Sequence, residues 1–498
     1  MYKLAIRTAQ SLLVALLISG PVYADHAPVH GSTLLSAEAA AKDIEIARDR
    51  LEAMHAGYDR YTGESTLSDM WDALESRSSD GISRGDLYIG ISRILAAIRC
   101  DHTKAELPDD MAAARNTERV YLPFRFVLFS GRMYVDTPAA KSELSRGDQI
   151  LSIDGRRVAW WLAKVEPLIP VDGDATHVVP LELAYSTEFM GPALDHFAPF
   201  FADIDGTVRL QVRSTDGREF TVTTERLTFP DFQSMVGEKR YSSNFADSIR
   251  FERLGDNAAY LAVDTFVNYR KPVDAAAHLA PYFESLKQEN RDKLIVDLRN
   301  NGGGSDDAQL ALLQYLINRP AKTAEALLTR FDSLSDGRRQ YLSTWNEAAL
   351  YPDPAWFEPL DNGYFKLVAP GLAADSRPLQ PAELAFEGDL VVLIGPANSS
   401  GSTHLVAVLA NAERGLLVGE KTGGAPTGAT AGIIYFLTLP ESGIKIRIPG
   451  QRTVMANADR LPARDGITPE IPVTASRDAY FAGRDAALDA AKDALDIN

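Results

Sequence analysis

Two stretches of the chain end an apolar run in small residues, and each can carry chemistry. Lys293 to Gly304 (KLIVDLRNNGGG) reads as a buried strand entering a three-glycine turn ahead of a helix. Glycines let backbone N–H groups approach a ligand and a helix N-terminus adds positive dipole, so this turn suits an anion or oxyanion. A plain tight turn would use the same glycines. No Gly-Lys-Ser/Thr follows, which argues against a phosphate loop. Asp389 to His404 (DLVVLIGPANSSGSTH) repeats the strand–turn–helix pattern with serines. Ser402 reads as the helix N-cap. Ser400 falls in the turn itself, its hydroxyl presented above the sheet and the Gly401 amide nearby as an oxyanion donor. The Gly-x-Ser-x-Gly elbow of α/β-hydrolases is absent. Cys100 and His102 lie close enough in sequence to suggest a nucleophile pair. Cys100, however, continues the helically spaced series Ile91, Ile94, Leu95, Ile98, which reads as a packed thiol. No ligand-spaced His/Cys cluster is found, so neither metal nor cofactor is expected.

The elements that position these turns change texture along the chain. Residues 25–112 read as a helical region, with amphipathic stretches from Leu34 to Ile98 broken by turn-rich SRSSDGISRGD. Residues 113–232 read as a β domain. VYLPFRFVLF, GRMYVDT and GDQILSIDGRRV lead to two alternating strands around an Asp-Gly turn, with a less regular insertion at 159–205. Its Leu144 to Gly155 segment resembles the Gly-Asp turn, apolar strand and Asp-Gly turn of PDZ domains in bacterial proteases. Residues 248–475 alternate apolar runs with helical stretches, predicting a largely parallel sheet covered by helices. Residues 476–498 add a C-terminal helix. Ligands of such sheets bind beyond the carboxyl ends of strands, where both turns fall.

Four segments occur together in one order: Asp297 to Gly304, the Ser-rich turn within Gly395 to Leu409, Gly419 to Gly424 (GEKTGG), and Gly466 to Val473 (GITPEIPV). In that combination the chain resembles the tail-specific, C-terminal-processing serine peptidases. The resemblance implies a crotonase/ClpP-like α/β spiral core, with an N-terminal helical region and a PDZ-like β domain. It implies Ser400 as nucleophile, with Gly401 and Gly303 or Gly302 holding the oxyanion. The lysine that activates the serine in the best-known branch is replaced by Ala425, and the Glu of the Ser-Ala-Ser-Glu pattern by Thr403. The tricorn-like branch instead uses a distant histidine after an N-terminal helix, which falls on His102 of Cys100-Asp101-His102-Thr103. Imidazole titrates near neutral pH and would withdraw the serine's proton, with activity falling on acidification through roughly pH 6–7. His404 and Lys421 are the competing bases. The branch's orienting Glu falls near Ala463, leaving Asp465, Asp101 and Glu420 as candidates to hold His102.

The implied activity is hydrolysis of peptide bonds in polypeptides, taken by way of their C-termini. The altered positions keep a second reading open, a decayed peptidase fold serving as a peptide-binding scaffold. Residues 1–24 read as a signal peptide, with Lys3 and Arg7 ahead of a short apolar run and Val22-Tyr23-Ala24 at the cleavage site. The run is too short to span a bilayer, which takes roughly 20 residues, so the expectation is an exported protein, periplasmic or secreted, without stable membrane insertion. The formal net charge of −17 becomes −19 when those two basic residues leave with the leader. Such a surface argues against nucleic-acid partners.

Overall fold

The computed structural model describes residues 31–140, 142–186, 189–236, 244–371, 377–456, 458–461 and 464–497. The leader at 1–24 and Ala463 lie outside them. Three helices open the described chain: α1 (Ala37–Met54), α2 (Glu64–Arg77) and α3 (Arg84–Ile98). Ser83 caps α3 by accepting the Asp86 amide, a contact worth about 1 kcal/mol. Leu87, Ile91, Ile94, Leu95 and Ile98 are buried along one stripe of α3, each contributing about 1.5–3 kcal/mol. The helix stops because Arg99 turns left-handed, with φ 61°.

Beyond it, Thr103 N–H donates to the Cys100 carbonyl at 3.0 Å. The two-residue strand Ala105–Glu106 then pairs antiparallel with Ile446 and Lys445. The helical region is therefore not a separate body. Ala56 N–H donates to Pro449 O, Asp43 accepts the Glu441 and Ser442 amides, and one apolar cluster runs from α1–α3 into the hairpin Thr430–Thr438/Lys445–Met455.

The β domain has strands β1 (Phe124–Phe129), β2 (Arg132–Pro138), β3 (Gln149–Ile153), β4 (Thr207–Arg213) and β5 (Glu219–Glu225), ordered β1-β2-β3-β4-β5. The stretch read as irregular is largely helical: α4 (Val158–Val165), α5 (Val179–Tyr185) and α6 (Ala193–Phe197), with short 3-10 turns between. Helices of five to eight residues are marginal alone. Burial of Trp161, Leu183 and Phe197 in the shared core holds these. Helix α5 lies against the edge strand β1, while β5 at the other edge alternates exposed and covered residues.

The core sheet has β6 (Ile249–Leu254), β7 (Ala258–Val263), β8 (Lys293–Asp297), β9 (Asp389–Ile394), β10 (Leu416–Gly419) and β11 (Ile471–Pro472) in that spatial order. Pairing is parallel from β7 to β11, and β6 is antiparallel to β7. Side chains alternate between faces. Leu294 and Val296 of β8 join the layer of α7 (Ala275–Gln288), α8 (Asp306–Leu316) and α9 (Ser400–Asn411). Ile295 between them joins α10 (Ala486–Ala494) on the opposite face.

Candidate active site

Strands β8 and β9 run side by side with Asp297 opposite Leu393, so both small-residue turns leave the same edge of the sheet. Buried Asn398 ties them. Its Nδ2 donates to Leu298 O at 2.5 Å, Asn301 O at 3.2 Å and Ser402 Oγ at 2.9 Å, while its Oδ1 accepts the Gly395 amide at 2.7 Å. Ser400 follows two residues later at φ 52°, a left-handed conformation that costs a non-glycine residue energy and recurs where a side chain is held for function. The N-cap of α9 is Ser399, not Ser402. Ser402 is one turn in and fully buried, because its hydroxyl answers Asn398 rather than the helix end.

Gly303 lies directly against Ser400. A Cβ on Gly303 would sit 2.8 Å from Ser400 Cβ and 2.9 Å from the Gly401 nitrogen. Gly303 N–H donates to Asn301 Oδ1 at 2.8 Å. The Gly302 and Gly401 amides have no hydrogen-bond partner among the described residues.

The segment Cys100–Thr103 reaches this turn from the N-terminal region. Asp101 Oδ2 accepts a hydrogen bond from Ser399 Oγ, next to the proposed nucleophile. Asp101 Oδ1 lies 2.6 Å from His102 Nδ1. The two groups form an ion pair when the imidazole is protonated. Nε2 makes no hydrogen bond among the described residues, to Ser400 or otherwise. Burial disfavours the imidazolium, but the Asp101 carboxylate outweighs it and holds the His102 pKa well above the ordinary imidazole value. Asp101 itself stays low despite burial, through His102 and Ser399. Beneath the segment, buried His55 accepts the Gly57 amide on Nδ1, and its Nε2 is 2.6 Å from Thr103 Oγ1. Burial lowers the His55 pKa to about 3, so the residue is a neutral prop.

The competing residues lie elsewhere. His404 Nε2 meets the Thr323 carbonyl at 3.2 Å. Lys421 Nζ is ion-paired to Asp465 Oδ2 at 2.7 Å, so each occupies the other rather than Ser400 or His102. Glu420 is half-buried and faces Thr474 and Arg299. Of the three carboxylates weighed for His102, the structure brings Asp101 to it.

Two contributors carry no sequence signal. One is Asn398, which reads as a turn residue. The other is Asp172 in the insertion, whose Oδ2 accepts the Ala425 amide at 2.8 Å. Burial first, and the nearby Asp101 charge second, raise its pKa well above the carboxylate range. Around Asp172, Gly173 N–H donates to Arg99 O, Asp174 N–H to Arg464 O, and His177 Nε2 meets Thr422 O at 3.1 Å. Residues 172–177 thus strap the Arg99–Thr103, Thr422–Ala425 and Arg464–Gly466 segments together.

Residues 257–473, nearly the whole core sheet and both turns, match the model of peptidase family S41. They form a peptidase family S41 domain. That domain is a serine peptidase domain, and the chain as a whole is folded like solved structures. It is similar to the structure of mature CPAF complexed with lactacystin, at TM-score 0.62 and 16% identity, over 92% of this chain and 97% of that one. A crystal structure of mature CPAF gives TM-score 0.58 and 16% identity, over 89% and 94% of the two chains. Comparison with curated protein sequences returned no match. At this identity the structural likeness is one of fold, so residue roles in this chain rest on its own geometry.

Proposed function

We propose that the protein is an exported S41 peptidase of the tricorn-like type that cleaves polypeptides with Ser400 as nucleophile and His102 as base. The observation that carries this is the meeting of two distant segments. Ser400 stands in a left-handed turn against Gly303, and Asp101 fastens the His102 segment to Ser399. His102 Nε2 takes the Ser400 proton as Oγ attacks the peptide carbonyl carbon. The oxyanion is held by the Gly401 and Gly302 amides, and the imidazolium gives its proton to the leaving amine. Water then repeats the attack on the acyl-enzyme and releases Ser400. On this reading the core is the crotonase-like spiral and residues 113–232 are the PDZ-like domain.

A fluorophosphonate probe tests the assignment. It should label the wild-type protein at Ser400, fail on Ser400→Ala, and label His102→Ala slowly. Absence of labelling in the folded wild-type protein would favour the second reading, a peptide-binding scaffold. That reading draws on Ala425 at the lysine position and on Asp465 being held by Lys421.

The pH profile should differ from that of an ordinary imidazole. Only neutral His102 can accept the proton, and Asp101 raises its pKa. The acid limb of kcat/KM should therefore lie above the reference value of about 6.5 rather than on it. Asp101→Asn should move the limb to lower pH on the residual activity, and an unmoved limb would remove Asp101 from the site.

The β domain bears on substrate choice. Such domains add a peptide as an extra strand and hold its terminal carboxylate in backbone amides. Deleting the domain is uninformative, because it would take the 172–177 strap with it. Instead, C-terminal amidation of a long substrate should lower kcat/KM while leaving short fluorogenic peptides unaffected. Equal rates for the free and amidated long substrates would show that the domain does not read chain ends.

A further inference from the structure

Peptide hydrolysis as set out above makes no use of Cys100. Yet Cys100, Asp101 and His102 each place one donor atom within 4.8 Å of the others, gathering a thiol, a carboxylate and an imidazole. These are zinc-ligand types, and bonds of about 2.0–2.3 Å put tetrahedral ligand atoms about 3.3–3.8 Å apart. Closing on an ion would therefore take side-chain adjustment alone: the 2.6 Å Asp101–His102 contact opens and the thiol swings in. Cys100 is 3% exposed, and its Sγ donates to Thr430 O at 3.4 Å and interacts with His102. The Asp101 and His102 side chains are 24% and 22% exposed, which gives an ion access. His102 Nδ1 faces the Asp101 carboxylate at 2.6 Å, so an ion seated between them takes the place of the ring proton. Of the groups near Asp101, Lys104 opposes a cation, and Asp172 favours one only in its ionised form.

We propose that Cys100, Asp101 and His102 form a site for a soft divalent cation of the zinc class, and that the bound ion inhibits the peptidase. The ion replaces the thiol proton and the ring proton of the imidazolium, both of which leave to solvent, and coordinates the thiolate, the carboxylate and an imidazole nitrogen. Three protein ligands leave the fourth position to water, which gives a reversible inhibitory site rather than a structural one. With its ring turned to the ion, His102 no longer accepts the proton of Ser400. This inhibitory half rests on His102 being the base.

The test uses the full mature chain and metal ions alone. Cobalt(II) should give a thiolate-to-metal charge-transfer absorption that is lost in Cys100→Ser and Cys100→Ala. Zinc should slow fluorophosphonate labelling of wild type by about 100-fold, the scale of losing a general base. Labelling of Cys100→Ser should be unaffected by zinc, and a chelator should restore the wild type. No thiolate band, or one that survives in both cysteine variants, would overturn the metal site. A cysteine-dependent band with labelling unchanged by zinc would overturn the inhibition and remove His102 from the role of base. The two failures are thus distinguishable.

Discussion

Replacing Ser400 or His102 by alanine should lower kcat by roughly 10⁴- to 10⁶-fold each, and replacing both should cost no more than either alone. Nucleophile and base act as a unit: without the imidazole the hydroxyl keeps its proton, and without the hydroxyl the imidazole has nothing to activate. The remaining rate would come from the amides and from binding. Cleavage of a fluorogenic peptide by the two single variants and the double variant measures the cycle. Losses that multiply in the double variant would mean the two residues act separately. Activity that survives His102→Ala but vanishes in Lys421→Ala would transfer the role of base to Lys421. The ion pair to Asp465 argues against that outcome, since Lys421 would have to leave it to reach Ser400.

The second large effect is expected at Gly303. Its φ is 102°, a conformation that L side chains rarely adopt. Its position adds a second problem, because the new methyl of Gly303→Ala would lie 2.8 Å from Ser400 Cβ and 2.9 Å from both the Gly401 nitrogen and the Ser399 carbonyl oxygen. These are backbone atoms and the root of the nucleophile, so no flexible side-chain end can yield. Backbone strain of about 1–3 kcal/mol is expected. A displaced nucleophile should lower kcat by about 100-fold or more, the order of effect of a 1 Å misplacement. Denaturant unfolding with peptide kinetics separates the two losses. Gly217→Ala is the control. Its φ is 91°, yet a Cβ there meets no atom within 4 Å. It should show the strain without the catalytic loss, and an equal kcat for Gly303→Ala and wild type would refute the contact.

What could be read ahead of the structure was local. Strands β8 and β9 announce themselves as apolar runs, and their exits as runs of small residues, because buried parallel strands and glycine turns leave composition behind. The register that sets Asp297 beside Leu393 is what turns two separate motifs into one site, and the family order anticipated it. Asp172 was illegible because its partner Ala425 lies 253 residues away and the bond is to a backbone amide, which any residue supplies. Asn398 looked like turn filler, since nothing local shows that its amide reaches back to Leu298 and Asn301. Ser402 was misread as the cap because three serines, Ser399, Ser400 and Ser402, sit within one turn of the helix start, and only the backbone decides among them. The short helices of the insertion failed to register for lack of length, since five to eight residues give hardly two turns of periodicity.

The strap at 172–177 has a bearing on when the enzyme can exist at all. It is translated between the histidine segment and the serine turn, and it is fastened to Arg99, Thr422, Ala425 and Arg464. Loop closures of this span must await the last third of the chain, so on the proposed assignment a growing polypeptide holds the parts of a protease without being one. It follows that a single nick within the strap should silence an otherwise intact molecule, leaving its circular dichroism nearly unchanged.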